Sequence, residues 1–447
     1  MGLGGIERVI SIQLGRFLEL GWTVLLVLDR PLPERHFPIP DGVRVFVRTS
    51  RWEDLVNVLL SEKVDVYYDQ GYLELLSGEE RTGEWERIKD RVGCAIYLHW
   101  HSFAARILTE DGGEAFYRAL KGYRRVCDGI LTLSRADCAF FASLGFRAFY
   151  VPNPVDPELD RCAAAVVAAR GSGPDLVWCG RLTASKRPED AIRVLAQVVR
   201  RRPGCRLRIV GRGEQAVERR LRDLAERLKV SSLVDFAGAG PDVYEHYRQS
   251  GIYLHTSKFE GFPMTMLEAM AFALPVVCYE MPYLELLRDN SQAVCVRQGD
   301  VAALADSVVA LLSDEGRRRT AGRASRACYE RFRSAGQADS YRRIFMDGRA
   351  EARPAGEDEA LLVDEILSAH FDKLSQRRTE TLRELSGVAG DAWFSRFLSL
   401  VGLRLSVGKI FGRSRRRGAY GRRLENLAEL RQVCFGRDWG KGKCDTE

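Results

Sequence analysis

Short apolar runs alternate with amphipathic stretches along the first third of the chain. Apolar residues recur at helical spacing over 6–18, and the runs that follow have the length of β-strands, several of them separated by further helical patterns. The predicted strands are Trp22–Leu28, Val43–Arg48, Val64–Asp69, Ala95–Trp100, Ile130–Ser134 and Phe149–Asn153. Strands that alternate with helices favour a parallel sheet covered on both faces.

The same alternation starts again at Leu176 and predicts a second domain of the same kind. Its strands are predicted at 176–180, 205–210, 234–237, 252–256, 275–279 and 293–297, with helices between them. The fold class is therefore α/β, with two Rossmann-like domains and a cleft between them. The predicted boundaries are 1–156 for the first domain, 157–174 for a linker, 175–350 for the second domain and 351–447 for a helical extension.

One segment, 252–279, predicts a strand, a short loop and a helix in succession. Pro263 suits the first helical position, so the unpaired amides of that helix would point out of the loop that holds Glu260 and Gly261. Glu268 follows within the helix, and both carboxylates can accept hydrogen bonds from sugar hydroxyls. The segment predicts a site for a phosphate and a polyol, although these residue types alone equally allow two ordinary surface glutamates.

Two cations follow the first predicted strand of the second domain. Arg181 comes directly after Gly180, and Lys186 lies five residues further on. A guanidinium and an ammonium at the end of a strand would hold a diphosphate and stabilise the negative charge that grows as it leaves. The alternative is that Lys186 and Arg187 are solvated residues on the approach to a helix.

The two glutamates, separated by seven intervening residues in the setting Glu-Gly-Phe-Pro…Glu-Ala-Met, resemble the signature of retaining GT-B glycosyltransferases of family 4, the type called glycosyl transferases group 1. Four further motifs extend this resemblance in order over roughly residues 1–345. They are Gly-Gly-Ile-Glu-Arg-Val at 4–9, Val-Pro-Asn-Pro-Val-Asp at 151–156, Cys-Gly-Arg-Leu at 179–182 and Ile-Val-Gly-Arg-Gly-Glu at 209–214.

The resemblance implies two parallel sheets that face each other across a cleft, and a nucleotide-sugar that binds as a substrate rather than as a cofactor. It assigns catalysis to Arg181, Lys186 and Glu260 without a metal, and the chain contains no Asp-x-Asp motif. Glu260 would hold hydroxyls of the donor sugar and Glu268 the ribose. The residues implied to bind the donor are Gly4, Gly5, His99, His101, Gly180, Gly261, Phe262, Pro263 and Glu268.

Two of these assignments leave alternatives open. His99 and His101 end a predicted strand and are either hydrogen-bond partners of a sugar hydroxyl, strand-end histidines satisfied by backbone, or two metal ligands without a third. Gly4 and Gly5 are equally well explained as turn residues. In the resembling family a strand precedes this glycine loop, so we expect either a late start or a first sheet without its middle strand.

Composition narrows the functional classes. The 447 residues are 46% hydrophobic with a net charge of +7, which predicts globular domains and permits anionic substrates. No RNA-binding motif is present, so nucleic acid is not an expected partner. The 11 cysteines contain no Cys-x-x-Cys pair, and no apolar run has the length of a membrane span or of a signal peptide core. These features predict a protein of the reducing cytoplasm.

The end of the chain has a different composition. From 392 to 424 there is no acidic residue, while arginines accumulate among aromatic and aliphatic residues. This pattern indicates either a peripheral contact with a membrane surface or a helical appendage that packs on the core with its arginines in solvent.

The sequence as a whole predicts a retaining hexosyltransferase that moves a sugar from a nucleotide-sugar to a glycan or lipid-linked acceptor, in the synthesis of cell-surface polysaccharide or glycoconjugate. Two alternatives are a non-catalytic GT-B homologue that acts as a binding or scaffold protein, and a GT-B nucleotide-sugar epimerase. The intact set of Arg181, Lys186, Glu260 and Glu268 argues against loss of activity. Fold alone would not identify the nucleotide, the sugar or the acceptor.

Overall fold

The computed structural model describes most of the chain before residue 347. The described residues are 4–34, 36–49, 51–70, 82–103, 122–143, 145–164, 176–240, 243–281, 283–334 and 337–346. The extension predicted at 351–447, with the membrane contact predicted within 392–424, lies outside them.

Helices and strands alternate within these residues. The helices are α1 (Gly5–Glu19), α2 (Trp52–Ser61), α3 (Thr82–Val92), α4 (Arg135–Ser143), α5 (Pro157–Ala164), α6 (Pro188–Val198), α7 (Gln215–Arg227), α8 (Val243–Gln249), α9 (Met264–Ala271), α10 (Glu285–Arg288), α11 (Val301–Ser313), α12 (Glu315–Ser334) and α13 (Gln337–Phe345), and 122–126 is also helical. The strands are β1 (Leu25–Leu28), β2 (Arg44–Val47), β3 (Val66–Asp69), β4 (Ala95–Trp100), β5 (Gly129–Thr132), β6 (Ala148–Tyr150), β7 (Leu176–Cys179), β8 (Leu207–Val210), β9 (Val234–Gly238), β10 (Ile252–His255), β11 (Val276–Tyr279) and β12 (Val294–Val296).

The chain divides into two compact units. Unit 1 consists of Met1–Phe46 and Pro152–Ser340, and unit 2 consists of Val47–Val151 together with the described residues from Tyr341 on. The sequence prediction placed 1–46 with 47–151 instead, so the observed division differs. Side chains explain the difference, because Arg8 of α1 forms ion pairs with Asp156 and Glu268 of unit 1.

Unit 1 is built on a parallel sheet with the described strand order β12-β11-β10-β7-β8-β9. Leu176 of β7 pairs with Ile252 of β10 on one side and with Leu207 of β8 on the other. Because parallel strands end at one edge, the loops after β7, β8 and β10 emerge side by side, where open α/β sheets bind ligands. Strand β7 of this sheet begins at Leu176, where the sequence predicted the first strand of the second domain.

The core of unit 1 lies between this sheet and its helices. The apolar residues of β7, β8, β10 and β11 are almost completely buried, as are the inner faces of α6, α7 and α11.

Local chemistry explains where two helices of unit 1 begin. Asp300 caps α11 through its side chain, which accepts a hydrogen bond from the Ala303 amide at 2.9 Å. Pro188 occupies the first position of α6, where a missing amide costs nothing.

Unit 2 contains a parallel sheet with the described order β3-β4-β5-β6. Aromatic residues of α13 pack on it, since the Phe345 ring lies 5.1 Å from the ring of Tyr68 in β3. The Tyr97 hydroxyl of β4 donates to the carbonyl oxygen of Ile344 at 2.9 Å. The chain therefore returns from unit 1 to unit 2 within its last described helix.

Two further expectations are corrected. β1 and β2 form a separate two-stranded sheet in the described residues, whereas one sheet was predicted for all six early strands. The predicted linker at 157–174 begins with the helix α5, and its remainder lies outside the described residues. The cause of α5 is local: the Asp156 side chain accepts a hydrogen bond from the Glu158 amide at 2.8 Å, and Pro157 is the first helical residue.

Candidate active site

The loop between β10 and α9 carries Glu260 at the edge of the unit 1 sheet. Pro263 is the N-cap of α9 and its carbonyl accepts from the Met266 amide at 3.0 Å, so the helix begins one residue later than predicted. Within the described residues, the amides of Met264 and Thr265 have no acceptor. The helix therefore presents free amides and the positive end of its dipole at the end of this loop.

Glu260 is held by a cation from the neighbouring strand's loop. The Lys186 ammonium nitrogen donates to both carboxylate oxygens, at 2.5 and 2.6 Å, and His255 Nε2 lies 3.2 Å from Oε1. The Glu260 amide donates to the Tyr283 hydroxyl at 3.0 Å. Lys186 and Glu260 are thus brought together as predicted, with 21% and 9% of their side chains exposed, and neither is an ordinary solvated residue.

This pairing determines the charge of Glu260. Burial by itself raises the pKa of the carboxyl, but the Lys186 ammonium and the His255 ring outweigh it and lower that pKa well below its usual range. Glu260 is therefore a fixed anion at neutral pH and accepts hydrogen bonds only.

The loop that carries Lys186 is fastened to β10. The Thr256 hydroxyl lies within donating distance of two backbone carbonyls, those of Lys186 at 2.9 Å and Arg187 at 2.8 Å, and it accepts from the Trp178 indole at 2.8 Å. Arg187 adopts a left-handed conformation with φ of 48°, which a residue with a side chain adopts only when its surroundings impose it. The Lys186 backbone is consequently fixed relative to Glu260.

Glycines allow the adjoining loops to approach closely. Gly211 follows β8 with φ of 144°, and a Cβ there would lie 1.8 Å from the carbonyl oxygen of Gly180. A Cβ on Gly213 would lie 2.6 Å from the carbonyl oxygen of Leu182. The glycines of the motif at 209–214 are thus explained by backbone contact between the loops after β7 and β8.

Arg181, the second predicted cation, differs from Lys186. Its side chain is exposed and forms no hydrogen bond or ion pair with any described residue. Arg181 is a guanidinium at the strand edge that is available to an anion, whereas the ammonium of Lys186 already contacts a carboxylate.

Glu268, the second carboxylate of the signature, is buried within unit 1. Arg8 of α1 forms an ion pair with Oε1, and the Tyr247 hydroxyl donates to Oε2 at 2.9 Å. Only 3% of the Glu268 side chain is exposed, which excludes the alternative of a glutamate on a solvated helix face. Arg8 also contacts Asp156 at 2.8 Å and the Tyr244 hydroxyl.

Further predicted donor-binding residues of unit 1 lie in the loop before α9 or at the start of α1. Gly4 is the N-cap of α1 and Gly5 its first residue, and a Cβ on Gly5 would meet no atom within 4 Å. Phe262 is buried with its ring 5.8 Å from that of Phe332, so its side chain anchors the loop that also contains Gly261.

His99 and His101 lie in unit 2, at the carboxyl end of β4. Both rings are buried and their centroids are 3.9 Å apart. His99 Nδ1 bonds the Tyr68 hydroxyl at 2.8 Å, and His101 Nε2 lies 2.6 Å from the Gln70 amide oxygen. Burial lowers the pKa of His101 to about 3 and that of His99 well below its usual range, so both rings are neutral. Side chains, rather than backbone, satisfy these nitrogens, and their assignment to the donor stays a prediction.

No group of three or more His, Cys, Asp or Glu within the described part of the chain is arranged to hold a metal ion. Among the helices that the structure describes, none combines the length and apolar character needed to span a bilayer.

Sequence reasoning missed six contributors to the two carboxylate sites. Arg8 and Asp156 stand inside motifs that carried the family resemblance, yet no role followed for either. The other four carried no signal of their own, and they are His255, Tyr244, Tyr247 and Tyr283. The sequence did contain one hint of a role for Arg8, because this charged residue directly precedes Val9, which is buried in α1.

Comparison with known proteins identifies the domain that contains both carboxylates. Residues 165–327 match the family described as Glycosyl transferases group 1. An exopolysaccharide phosphotransferase of Streptomyces coelicolor is 30% identical over 189 residues, which are 42% of this chain and 19% of that protein. A D-inositol 3-phosphate glycosyltransferase of Acidothermus cellulolyticus is 31% identical over 224 residues, which are 47% of this chain and 50% of that protein. The chain spans half or less of the length of these curated relatives.

Solved structures extend the likeness across both units. The crystal structure of Anabaena HepE in complex with UDP-glucose aligns with a TM-score of 0.61 and 20% identity, over 77% of this chain and 96% of that one. This likeness establishes the fold, which is the GT-B fold predicted from the sequence motifs. The chain is therefore similar to the glycosyl transferases group 1 over residues 165–327.

Proposed function

We propose that this protein is a retaining glycosyltransferase that transfers a hexose from a nucleotide-sugar to a glycan or lipid-linked acceptor, in the synthesis of polysaccharide or glycoconjugate. The observation that carries the proposal is the pair of Lys186 and Glu260 at the sheet edge of a group 1 domain. The names of several relatives, which include inositol phosphate and polysaccharide glycosyltransferases, agree with it.

Cleavage of the donor places negative charge on the departing diphosphate, so the main requirement is to stabilise that charge. Lys186 has three ammonium protons and donates two of them to Glu260, which leaves one for a phosphate oxygen. The Arg181 guanidinium and the amides at the start of α9, which have no partner among the described residues, supply further donors. These protein groups are the basis on which we propose that transfer needs no metal.

Glu260 and Glu268 act by position in this proposal. Glu260 is ionised and fixed, so it accepts hydrogen bonds from hydroxyls of the donor sugar, while Glu268 accepts them from the ribose. Gly180 and Gly261 let backbone approach the donor, and Gly4, Gly5, Phe262, Pro263, His99 and His101 complete the proposed donor set. The departing phosphate takes the acceptor proton on the same face of the sugar, which gives retention without an enzymic nucleophile.

The test is a screen of UDP-, GDP- and ADP-sugars by thermal shift and by release of nucleotide, with and without EDTA. Lys186→Ala should lower turnover by about 100-fold or more, because it removes a donor to the leaving group. Lys89→Ala is the matched control, since it removes a lysine–carboxylate pair with Asp128 in unit 2. It should leave turnover within about threefold of wild type, because it touches neither carboxylate site.

The outcomes separate the alternatives. EDTA-insensitive turnover of one donor that requires Lys186 supports the transferase. Binding of no donor would favour the scaffold protein, and interconversion of two nucleotide-sugars without an acceptor would favour the epimerase. Turnover that disappears with EDTA and returns with a divalent cation would reject the metal-independent mechanism.

A further inference from the structure

Three distant parts of the sequence meet at the guanidinium of Arg8. Arg8 stands in α1, and its partners are 148 positions away at Asp156, 236 at Tyr244 and 260 at Glu268. Nη1 donates to Glu268, while Nη2 contacts both Asp156 and the Tyr244 hydroxyl. The Tyr244 ring lies beneath the guanidinium, with its centroid 5.5 Å from the central carbon. Arg8 thus contacts two carboxylates and one aromatic ring at once.

Both charged groups of the Arg8–Glu268 pair are largely buried, so each depends on the other in place of water. The exposed fractions of the Arg8 and Glu268 side chains are 17% and 3%, so each charge has lost most of its hydration. Burial lowers the pKa of Arg8, but Glu268, Tyr244 and Asp156 reverse that effect and raise it, so the guanidinium stays charged. Burial raises the pKa of the Glu268 carboxyl, and the Arg8 guanidinium and the Tyr247 hydroxyl oppose that rise. The ionised form of Glu268 therefore depends on this cation.

The contacts of Arg8 also fix its direction. Asp156 accepts from the Glu158 amide through its other oxygen, Oδ1, so its carboxylate is attached to the first turn of α5. With Nη2 held there, the rigid guanidinium directs Nη1 to Glu268. Glu268 therefore receives one donor on each oxygen, Arg8 on Oε1 and Tyr247 on Oε2. Each oxygen retains a second acceptor position.

We propose that Arg8 is a positioning residue that keeps Glu268 ionised and oriented to accept the two ribose hydroxyls of the nucleotide donor. The inference depends on the proposed function only in that Glu268 binds the ribose. Arg8 touches neither the sugar nor the phosphates in this arrangement. It acts through Glu268, so its removal should impair recognition of the ribose and leave the chemical step largely intact.

The test compares binding of a nucleoside diphosphate with binding of its 2′,3′-dideoxy form, by titration calorimetry with UDP, GDP and ADP. Wild type should prefer the nucleotide with hydroxyls by about tenfold or more, the value of a hydrogen bond to a charged group. Glu268→Gln and Arg8→Met should each reduce this preference to about threefold or less, because a neutral acceptor forms the weaker kind of hydrogen bond. In turnover, Arg8→Met should raise KM for the donor while kcat falls by less than about threefold.

Arg16→Met is the matched control, because Arg16 lies on the same helix in an exposed pair with Glu19. It should keep the ribose preference of wild type. Arg8→Lys retains the positive charge but loses the two-pronged donor geometry of the guanidinium. Its preference for the nucleotide with ribose hydroxyls should therefore lie between those of wild type and Arg8→Met. If Arg8→Met does not fold, Tyr244→Phe and Arg8→Lys still test the proposal, since each weakens the hold on Glu268 without removing the cation.

The outcomes distinguish this inference from the proposed function. If Glu268→Gln abolishes the preference and the Arg8 variants retain it, Arg8 is not a positioning residue and the proposed function stands. If Arg8→Met binds the nucleotide more tightly than wild type, Arg8 competes with the ribose and the inference is wrong. If wild type binds both forms equally, Glu268 holds no ribose, and both the inference and that part of the proposed function fail.

Discussion

Glu260 and Glu268 lie in one loop–helix segment, yet the structure holds them in different ways. Glu260 is paired with a lysine whose side chain is 21% exposed and whose loop follows the adjacent strand of the same sheet. Glu268 is paired with an arginine from the first helix of the chain, and that arginine has a second carboxylate as a fixed anchor. The first pair joins neighbouring loops, and the second joins distant segments.

The chemistry of the two cations explains the difference. An ammonium on a flexible stem can turn from a carboxylate to a phosphate, which suits a group that meets charge developing during a reaction. A guanidinium fixed by two carboxylates keeps one geometry, which suits recognition of a part of the substrate that does not react. Breaking the Lys186–Glu260 pair and breaking the Arg8–Glu268 pair should therefore change stability and kinetics in different ways.

The largest difference is expected in stability. Glu268→Gln leaves Arg8 buried with Asp156 as its remaining carboxylate partner, and we expect it to lower the free energy of unfolding by about 3 kcal/mol. Glu260→Gln should cost about 1 kcal/mol, because the Lys186 ammonium can reach water. Urea denaturation at pH 7 measures both values. Equal losses would mean that Arg8 is no more dependent on its carboxylate partner than Lys186 is.

The pH dependence of the Lys186 pair gives the next largest effect. The pKa of Glu260 is lowered in the folded protein, so its stabilising contribution is complete above the ordinary value and is lost as the pH falls below it. Without Lys186, burial instead favours the protonated carboxyl. Lys186→Met should therefore cost about 2 kcal/mol at pH 7 and clearly less at pH 3.5, as measured by urea denaturation at both pH values.

The control for that prediction is the same substitution in a Glu260→Gln background. With no carboxyl to titrate at this position, the cost of Lys186→Met should no longer change with pH. A cost that still falls with acidification in this background would assign the pH dependence to another group.

The sequence predicted most of unit 1 because its signals are local. Apolar strand-length runs, alternating with helical patterns, located β7 to β12 to within about two residues. The separate pairing of β1 with β2 could not be predicted in this way, because strand partners are decided by contacts distant in sequence. The start of α5 was an avoidable miss, since Asp156 followed by Pro157 is a recognised helix start within a stretch interpreted as linker.

The candidate site was predictable in part for the same reason. Strand-end placement and residue type identified Lys186 and Glu260, because their strands are neighbours in the sheet. The motifs that contain Arg8, Asp156 and Glu268 were recognised in order along the chain, but nothing in their spacing indicated that these three side chains touch. That contact depends on how α1 packs against unit 1, which a one-dimensional pattern does not contain.

Two tyrosines provide the finest comparison of the carboxylate sites. The Tyr247 hydroxyl donates to Glu268, and the Tyr283 hydroxyl accepts from the Glu260 amide. Tyr247→Phe and Tyr283→Phe each remove one buried hydrogen bond, so each should lower the free energy of unfolding by about 1 kcal/mol in urea denaturation.

The two variants should differ in their kinetic effects, because Tyr247→Phe loosens a recognition group and Tyr283→Phe loosens the loop that carries Glu260. We expect Tyr247→Phe to raise KM for the donor and Tyr283→Phe to lower kcat, each by about threefold to tenfold in steady-state assays. The same kinetic change in both variants would mean that the two carboxylates act as one unit rather than as two.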